Sequence, residues 1–324
     1  MRSLGQHIVL VFSLAVHYAM AQNAPVFSNF MHLKTLHNPA ASGADGALEV
    51  FAVYRTQWVG IQGSPSVQAL SLSSPLTVAN SSVGVLAVNE FQGEERITSA
   101  FISYAYEQDF RSWILRAGIS GGIMQRAIDG ARLKAPEGRY DQGIVHNDVY
   151  IPELLSSALT GDISSGILIQ TKNLYAGFSA NNLLETKARF EWNAYRTEIK
   201  NTRYITAMAG YQFRFKGKLT LAPNVIMLSD FNNTQAEVNV ILQYKDNIYG
   251  GLSLRGFTKS QNDALVVMAG FKLLKRIMIG YSYDFSLSAL NAVNTGSHEL
   301  FVGYRVNVKE LLKKGKIIYS PRFL

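Results

Sequence analysis

The sequence predicts an all-β fold: a transmembrane antiparallel β-barrel of about fourteen strands, with short periplasmic turns and longer extracellular loops. Three observations predict it. The chain opens on an export signal and has no later apolar run long enough for a membrane helix. Many short segments alternate apolar and polar residues with a period of two. The connections between those segments sort into short and long by parity.

The signal comes first because it sets the compartment. Arg2 supplies the positive start, residues 8–16 an apolar core, and Ala19-Met20-Ala21 an A-x-A cleavage site, so residues 1–21 read as a signal peptide and Gln22 as the mature first residue. The apolar core is far shorter than the roughly 20 residues a spanning helix needs. Export is therefore expected, and no nucleic acid is expected as a partner.

Composition narrows the class further. The chain has no cysteine, which excludes a disulfide framework, thiol catalysis and cysteine-held metal. Mean hydropathy lies close to zero, which does not fit a bundle of membrane helices. Net charge is +8, and much of the excess falls at the end: Lys309, Lys313, Lys314, Lys316 and Arg322 oppose only Glu310.

The strands follow from the alternation. Between residues 203 and 215, Ile205, Ala207, Ala209, Tyr211, Phe213 and Phe215 alternate with Tyr204, Thr206, Met208, Gly210, Gln212 and Arg214. Val238, Val240, Leu242 and Tyr244 oppose Glu237, Asn239, Gln243 and Lys245 in the same way. In the last strand, Leu300, Val302, Tyr304, Val306 and Val308 form the lipid face, and Glu299, Phe301, Gly303, Arg305 and Asn307 the lumen face. An apolar outer face and a polar inner one suit lipid outside and a wet lumen. On that reading a lysine at Phe301 is tolerated better than one at Val302.

Strands are expected to begin near Gly46, Ser66, Ser82, Arg96, Ser112, Asp162, Asn173, Arg203, Lys218, Gln235, Asn247, Asp263, Arg276 and His298. The even-numbered connections are then short, as around Lys172, Lys216-Gly217, Lys245-Asp246 and Leu274-Lys275. The odd-numbered ones are longer, notably residues 126–161, 181–202, 229–234, 256–262 and 286–297. A soluble sandwich has no reason to sort its loops this way. The barrel is assigned to residues 46–308, flanked by an irregular periplasmic or lumenal segment, 22–45, and a basic periplasmic tail, 309–324.

No motif supports catalysis. Gly118-Ile119-Ser120-Gly121-Gly122 matches the nucleophile-elbow pattern, but the elbow needs a strand that turns sharply into a helix. Here apolar strand residues lie on both sides of Ser120. His32, His37, His146 and His298 show no metal-ligand spacing. Asp230-Phe231-Asn232-Asn233-Thr234 lacks the glycine and closing glutamate of a calcium loop. Neither cofactor nor metal is expected, and the protein is expected not to be an enzyme. Tyr54-Arg55-Thr56-Gln57-Trp58 admits two readings: an interfacial aromatic beside a strand-end arginine, or a lumen or rim group that holds the first loop or a partner segment.

Asn38-Pro39-Ala40, Tyr54-Arg55, Gln57-Trp58, Gly60, Gly63, Pro65, Gln68, Leu70-Ser71 and Pro75 resemble the opening of the PorP/SprF family. Further matches are Gly280-Tyr281-Ser282-Tyr283-Asp284, Gly296-Ser297-His298-Glu299 and the terminal Pro321-Arg322-Phe323; Ser320 stands where many members carry cysteine. The resemblance implies a non-enzymatic outer-membrane component of the type IX secretion and gliding machinery of Bacteroidota. It implies contact with outer-membrane lipid, with periplasmic components including a peptidoglycan-binding protein, and with secreted cargo. A general or substrate-selective porin is the alternative.

The tail ends in an apolar segment that barrel closure does not require. Either it lines its own barrel mouth, or it docks on a periplasmic partner, the reading preferred here. Arg55, Gln57, Trp58, Lys316, Ile318, Tyr319, Arg322 and Phe323 are the candidate partner-binding residues. A closed barrel leaves no edge strand and resists detergent unfolding. The mature protein should therefore fractionate with outer membranes and run faster on gels unheated than boiled; recovery in the soluble periplasmic fraction would overturn the fold class.

Overall fold

The computed structural model describes residues 25–76, 80–141, 143–148, 150–192, 195–256 and 263–308. The signal peptide and the tail residues Lys316, Ile318, Tyr319, Arg322 and Phe323 lie outside them. Strands β1 (Ala47–Thr56), β2 (Ser66–Pro75), β3 (Ser81–Gln92), β4 (Glu95–Asp109), β5 (Ile114–Asp129), β6 (Leu155–Gln170) and β7 (Leu174–Asn181) form half the wall. A separate hairpin, β8 (Lys187–Trp192) and β9 (Tyr195–Lys200), rises from the loop that follows. The other half comprises β10 (Tyr204–Tyr211), β11 (Phe213–Phe215), β12 (Leu219–Ser229), β13 (Thr234–Tyr244), β14 (Ile248–Arg255), β15 (Ala264–Leu273), β16 (Ile277–Ser286) and β17 (Ser297–Asn307).

Every wall strand pairs antiparallel with its neighbours, and β1 pairs with β17, so the sheet closes. The strands β10 and β11 are one wall strand in two pieces. Both pair with β12 in a single register, and the gap falls opposite Pro223, which has no N–H to give the ladder. Counted so, the barrel has fourteen strands.

The short connections carry the turn chemistry they need. Lys245 and Asp246 (φ 51° and 55°), like Leu274 and Lys275 (φ 50° and 59°), form two-residue turns in the left-handed region, as tight hairpins require. These turns lie on the same side as the start of β1 and the end of β17, which makes that side periplasmic. Beside another of them, the rings of Phe110 and Trp113 stack at 4.2 Å, as at a membrane interface.

The third outer loop is shorter than expected. The stretch Leu155 to Gly161 is expected as loop, yet it extends the β5–β6 ladder outward: Asp129 pairs with Leu155 and Ile123 with Gly161. The β8–β9 hairpin supports that extension. Phe190 and Ala188 are fully buried against Ala158 and Ile128. On its outer side, the hydrogen bond that Glu198 accepts from Lys187, helped by the nearby charges of Arg196 and Arg189, holds its carboxyl below the usual range.

The predicted faces hold for most of the last strand. Leu300, Val302 and Tyr304 are 48%, 42% and 40% exposed, while Glu299 and Phe301 are completely covered. Val306 is buried as well, so the outward row stops at Tyr304.

What fills the lumen corrects the expectation of a wet interior. Residues 25–46 thread through it as a plug, with one helical turn α1 (Lys34–His37) and a 3-10 turn (Pro39–Ala41). Its Phe27, Phe30, Met31 and Leu33 join Phe51, Val53, Met208, Ile226, Val266, Met268 and Phe301 in one buried cluster. Phe301 stands over the His32 ring, with centroids 5.5 Å apart. A lysine there meets a packed core rather than water. Val302→Lys should cost about 2–4 kcal/mol near the bilayer midplane. Phe301→Lys should now be as damaging, because it buries an unpaired ammonium and opens the plug contact. Assembled protein per cell, measured by heat-modifiable gel shift, checks both; normal assembly of Phe301→Lys would place the plug elsewhere.

Candidate functional site

An ionic clasp joins the plug to the wall near its outer end. It is built where β1 meets β17, because Arg55 and Glu299 are direct cross-strand neighbours. On the next strand, β16, Asp284 points to the same face. Arg55 Nη2 lies 2.6 Å from Asp284 Oδ2, and its Nη1 3.3 Å from Glu299 Oε2. Two strands further on, Arg255 bonds Glu237 through Nε at 2.7 Å and Asp284 through Nη1 at 2.7 Å. Ser253 Oγ donates to the remaining Glu237 oxygen. All five charged side chains are buried.

The plug completes this network. The backbone N–H groups of Ser28 and Asn29 donate to the two oxygens of Glu299 at 2.8 and 2.9 Å, and Asn29 Nδ2 adds a third bond at 2.8 Å. The hydroxyl of Ser28 accepts from both Arg55 and Arg255 and donates to Asp284. Its bonding capacity is fully used. Three carboxylates face two guanidiniums here, so the plug's N–H and O–H donors offset the surplus of negative charge.

A second attachment lies deeper. Asn38 caps the 3-10 turn by accepting from Ala40 N, and its amide donates to the carbonyls of Ile167 and Phe178 in the wall. Wall glycines make this approach possible: a Cβ at Gly166 or Gly177 would collide with the Asn38 side chain, and one at Gly118 with Ala40. Arg116 then catches the end of the turn. It donates to the carbonyls of Ala40 and Ser42 at 3.0 and 2.6 Å and is neutralised by Glu107. At the periplasmic end, Arg305 holds Asp45 at 2.7 Å, where the plug passes into β1.

Among the sequence-predicted residues, the two readings of Tyr54 to Trp58 are now separable. Tyr54 faces outward and is 48% exposed, whereas Arg55 faces the lumen. Arg55, expected to bind a partner, is enclosed by the chain's own N-terminal segment, since a strand-end guanidinium beside two carboxylates is better satisfied inside than at a rim. Trp58 is half-buried; its backbone N–H donates to Ser297 Oγ, Val59 N–H donates to the Gly296 carbonyl and Thr295 N–H to the Val59 carbonyl, which straps the first outer loop to the last. Gln57 and Trp58 line a cavity of about 290 Å³ at the outer mouth. Ser120 sits within the unbroken β5, directly opposite Ser103 and Ser164, without the strand-to-helix turn of an elbow. His298 pairs with Tyr281 at 2.6 Å, and no cluster of metal-ligand type occurs among the described residues.

Sequence reasoning missed Arg255, Glu237, Arg116, Ser28 and Asn29. Alternation already sets Glu237 on the inward face and would have set Arg255 there too, without naming what either bonds. Nothing in the order of residues pairs Arg255 with a serine more than 200 positions away.

Fold and site together define a multi-pass outer-membrane β-barrel whose lumen is occupied by its own N-terminal segment. Residues 19–304 match the family of type IX secretion system membrane proteins PorP/SprF, and the chain belongs to that family. No curated protein matches it. Among solved structures it is similar to the Acinetobacter baumannii outer membrane protein Omp33, at 8% identity and a TM-score of 0.45, covering 80% of this chain and 99% of that one. It is also similar to the monoaromatic hydrocarbon channel CymD (13%, TM-score 0.49, 86% and 92% covered) and the Ralstonia pickettii toluene transporter TbuX (9%, TM-score 0.49, 84% and 92%). The barrel assignment rests on the closure of the sheet itself.

Breaking a buried ion pair from one side typically costs about 3–5 kcal/mol, because the other charge stays behind unpaired. Arg55→Met should therefore loosen the plug, with Asp284 and Glu299 each losing a counterion. The expected readouts are a lower gel-shift temperature and channel steps in planar bilayers that the wild-type protein lacks. Unchanged, silent bilayers would mean that the clasp does not hold the plug.

Proposed function

We propose that this chain is a non-enzymatic scaffold of the type IX secretion and gliding machinery, needed for export or surface display of cargo, and that it anchors periplasmic components at the outer membrane. The observation that carries this reading is the filled lumen. A diffusion pore needs a continuous aqueous path, and the plug replaces that path with a hydrophobic cluster between two polar attachments. The alternative of a general or substrate-selective porin is weakened for the same reason.

The periplasmic face supports anchoring. Arg111, Lys172, Lys216, Lys218, Lys245 and Lys275 are all exposed on the short turns of that side. Such a basic rim suits an acidic protein surface and would speed its encounter. The tail adds to it. We assign Lys316 and Arg322 to the same electrostatic attraction, and Ile318, Tyr319 and Phe323 to the apolar anchors that supply most of the affinity. A peptidoglycan-binding component of the machinery is the expected partner.

Deletion of the gene should abolish secretion of the type IX cargo set. Removal of residues 316–324 should leave barrel assembly near normal while abolishing co-purification with periplasmic components and cargo export. If the truncated protein does not assemble, the tail is structural. If a deletion strain secretes normally but loses uptake of a small solute, the porin reading replaces this one.

A further inference from the structure

The outward side of β2 to β5 changes character at one level. Phe110 and Trp113 stack where β4 meets β5 and mark the periplasmic boundary of the bilayer. A tilted strand crosses the hydrocarbon in about 9–11 residues. Counted from Phe110 along β4, the crossing ends near Ala100; counted from Trp113 along β5, it ends near Ile123. Leu70, Ala87, Ala100 and Ile123 are paired neighbours in one outward row. The next row, Gln68, Asn89, Thr98 and Gln125, is paired in the same way and is entirely polar. It lies where the headgroups of the outer leaflet begin.

This polar row is not a girdle common to the whole barrel. At the outer end of the opposite wall, the paired outward residues Leu254, Leu265 and Phe285 are apolar and exposed.

Just above the polar row, Arg96 is held in place. Its Nε donates to Asn89 Oδ1 at 2.9 Å, and its guanidinium carbon lies 5.1 Å from the centre of the Phe91 ring. Thr98 Oγ1 donates to the same Asn89 oxygen at 2.9 Å. Both lone pairs of that oxygen are thus used. What Arg96 and Asn89 still offer outward is donors alone: the two Nη groups of the guanidinium and the amide Nδ2. Among the described residues Arg96 meets no carboxylate, and the adjacent Glu95 is turned inward to Arg126. A fixed guanidinium fork with a donor beside it selects an oxyanion that accepts several bonds at once, as phosphate does. The apolar row directly beneath decides the source of that phosphate. A dissolved ion gains nothing from Leu70 and Ile123. A lipid uses both levels, its headgroup on Arg96 and its chains over Ala87 and Ala100, the small residues between those two larger ones.

We propose that the outer face of β2 to β5 is a binding site for a phosphorylated lipid of the outer leaflet, with the phosphate held by Arg96 and Asn89 and the acyl chains along the row beneath. The proposal rests on the barrel and not on the secretory role.

The test uses mature protein purified from outer membranes, delipidated in a neutral detergent, and native mass spectrometry with added bisphosphorylated lipid A. The wild-type barrel should retain the lipid, and Arg96→Gln should weaken its binding at least about tenfold. Arg96→Lys, which keeps the charge but loses the fork, should fall between them. Asn89→Asp, which turns a donor into an acceptor beside the phosphate, provides an independent variant and should also lose the lipid. Arg132→Gln, at the same end of the barrel but outside the cluster, should bind as the wild type does. Heat-modifiable gel shift verifies that each variant is folded. Lipid A stripped of its phosphates should not compete, nor should an excess of inorganic phosphate. Equal binding of the stripped lipid would mean that the face only wets acyl chains, and displacement by inorganic phosphate that it holds a bare ion; either overturns the proposal. Full binding by Arg96→Gln and Asn89→Asp overturns it as well. If lipid binding is equal in all variants while a membrane protein co-purifies only with the wild type, the face belongs to a protein neighbour instead.

Discussion

The pairing of Arg55 with Glu299 across the β1–β17 seam is the constraint on which the rest depends. Closing the barrel brings these two residues side by side, and the plug then buries them. A buried carboxylate is tolerated only with counterions and hydrogen-bond donors in place. Asp284 and Arg255 extend the pair into a network, and Ser28 and Asn29 supply the hydrogen-bond donors that the excess carboxylate oxygens still need. Barrel closure and plug docking are thus two halves of one arrangement: neither is satisfied without the other.

The same logic explains the lower attachment. A chain segment inside a barrel has no strand ladder of its own, so its backbone groups need other partners. Asn38 does this for the 3-10 turn at one end and Arg116 for its last carbonyls at the other. Ser179 and Ser82 donate to the carbonyls of His37 and Ser42. Close approach is required for these short bonds, and the wall grants it by placing glycine opposite the turn.

These contacts give the family motifs physical content. Asn38-Pro39-Ala40, Tyr54-Arg55, the Asp284 stretch and the Gly296 to Glu299 stretch are far apart in the chain yet all serve the plug or the seam that holds it. Gly296 illustrates the point. Its φ of 96° and the nearness of Tyr283 and the Asp284 carbonyl leave no room for a side chain where the last loop enters β17. Membership in a secretion family is therefore expressed here as a closed, plugged barrel, with its exposed basic turns toward the periplasm.

Much of the barrel was legible in the sequence. Strand faces follow from a period of two, so Leu300 and Val302 outside and Glu299 and Phe301 inside needed no coordinates. The side of each turn followed from loop length. Local patterning failed where a strand was not apolar, as in the Ser-rich start of β6, whose pairing is set by β5 and by the Phe190 hairpin above it. It also failed for the interior. An irregular, partly polar segment such as residues 25–46 carries no periodicity, and its place depends on bonds to residues more than 200 positions away. The sequence by itself determined a closed sheet with a defined inside and outside, because side-chain direction in a strand is a local property. Only the tertiary structure decided what the inside contains, because that depends on which buried charges closure brings together and which segment has the donors to satisfy them.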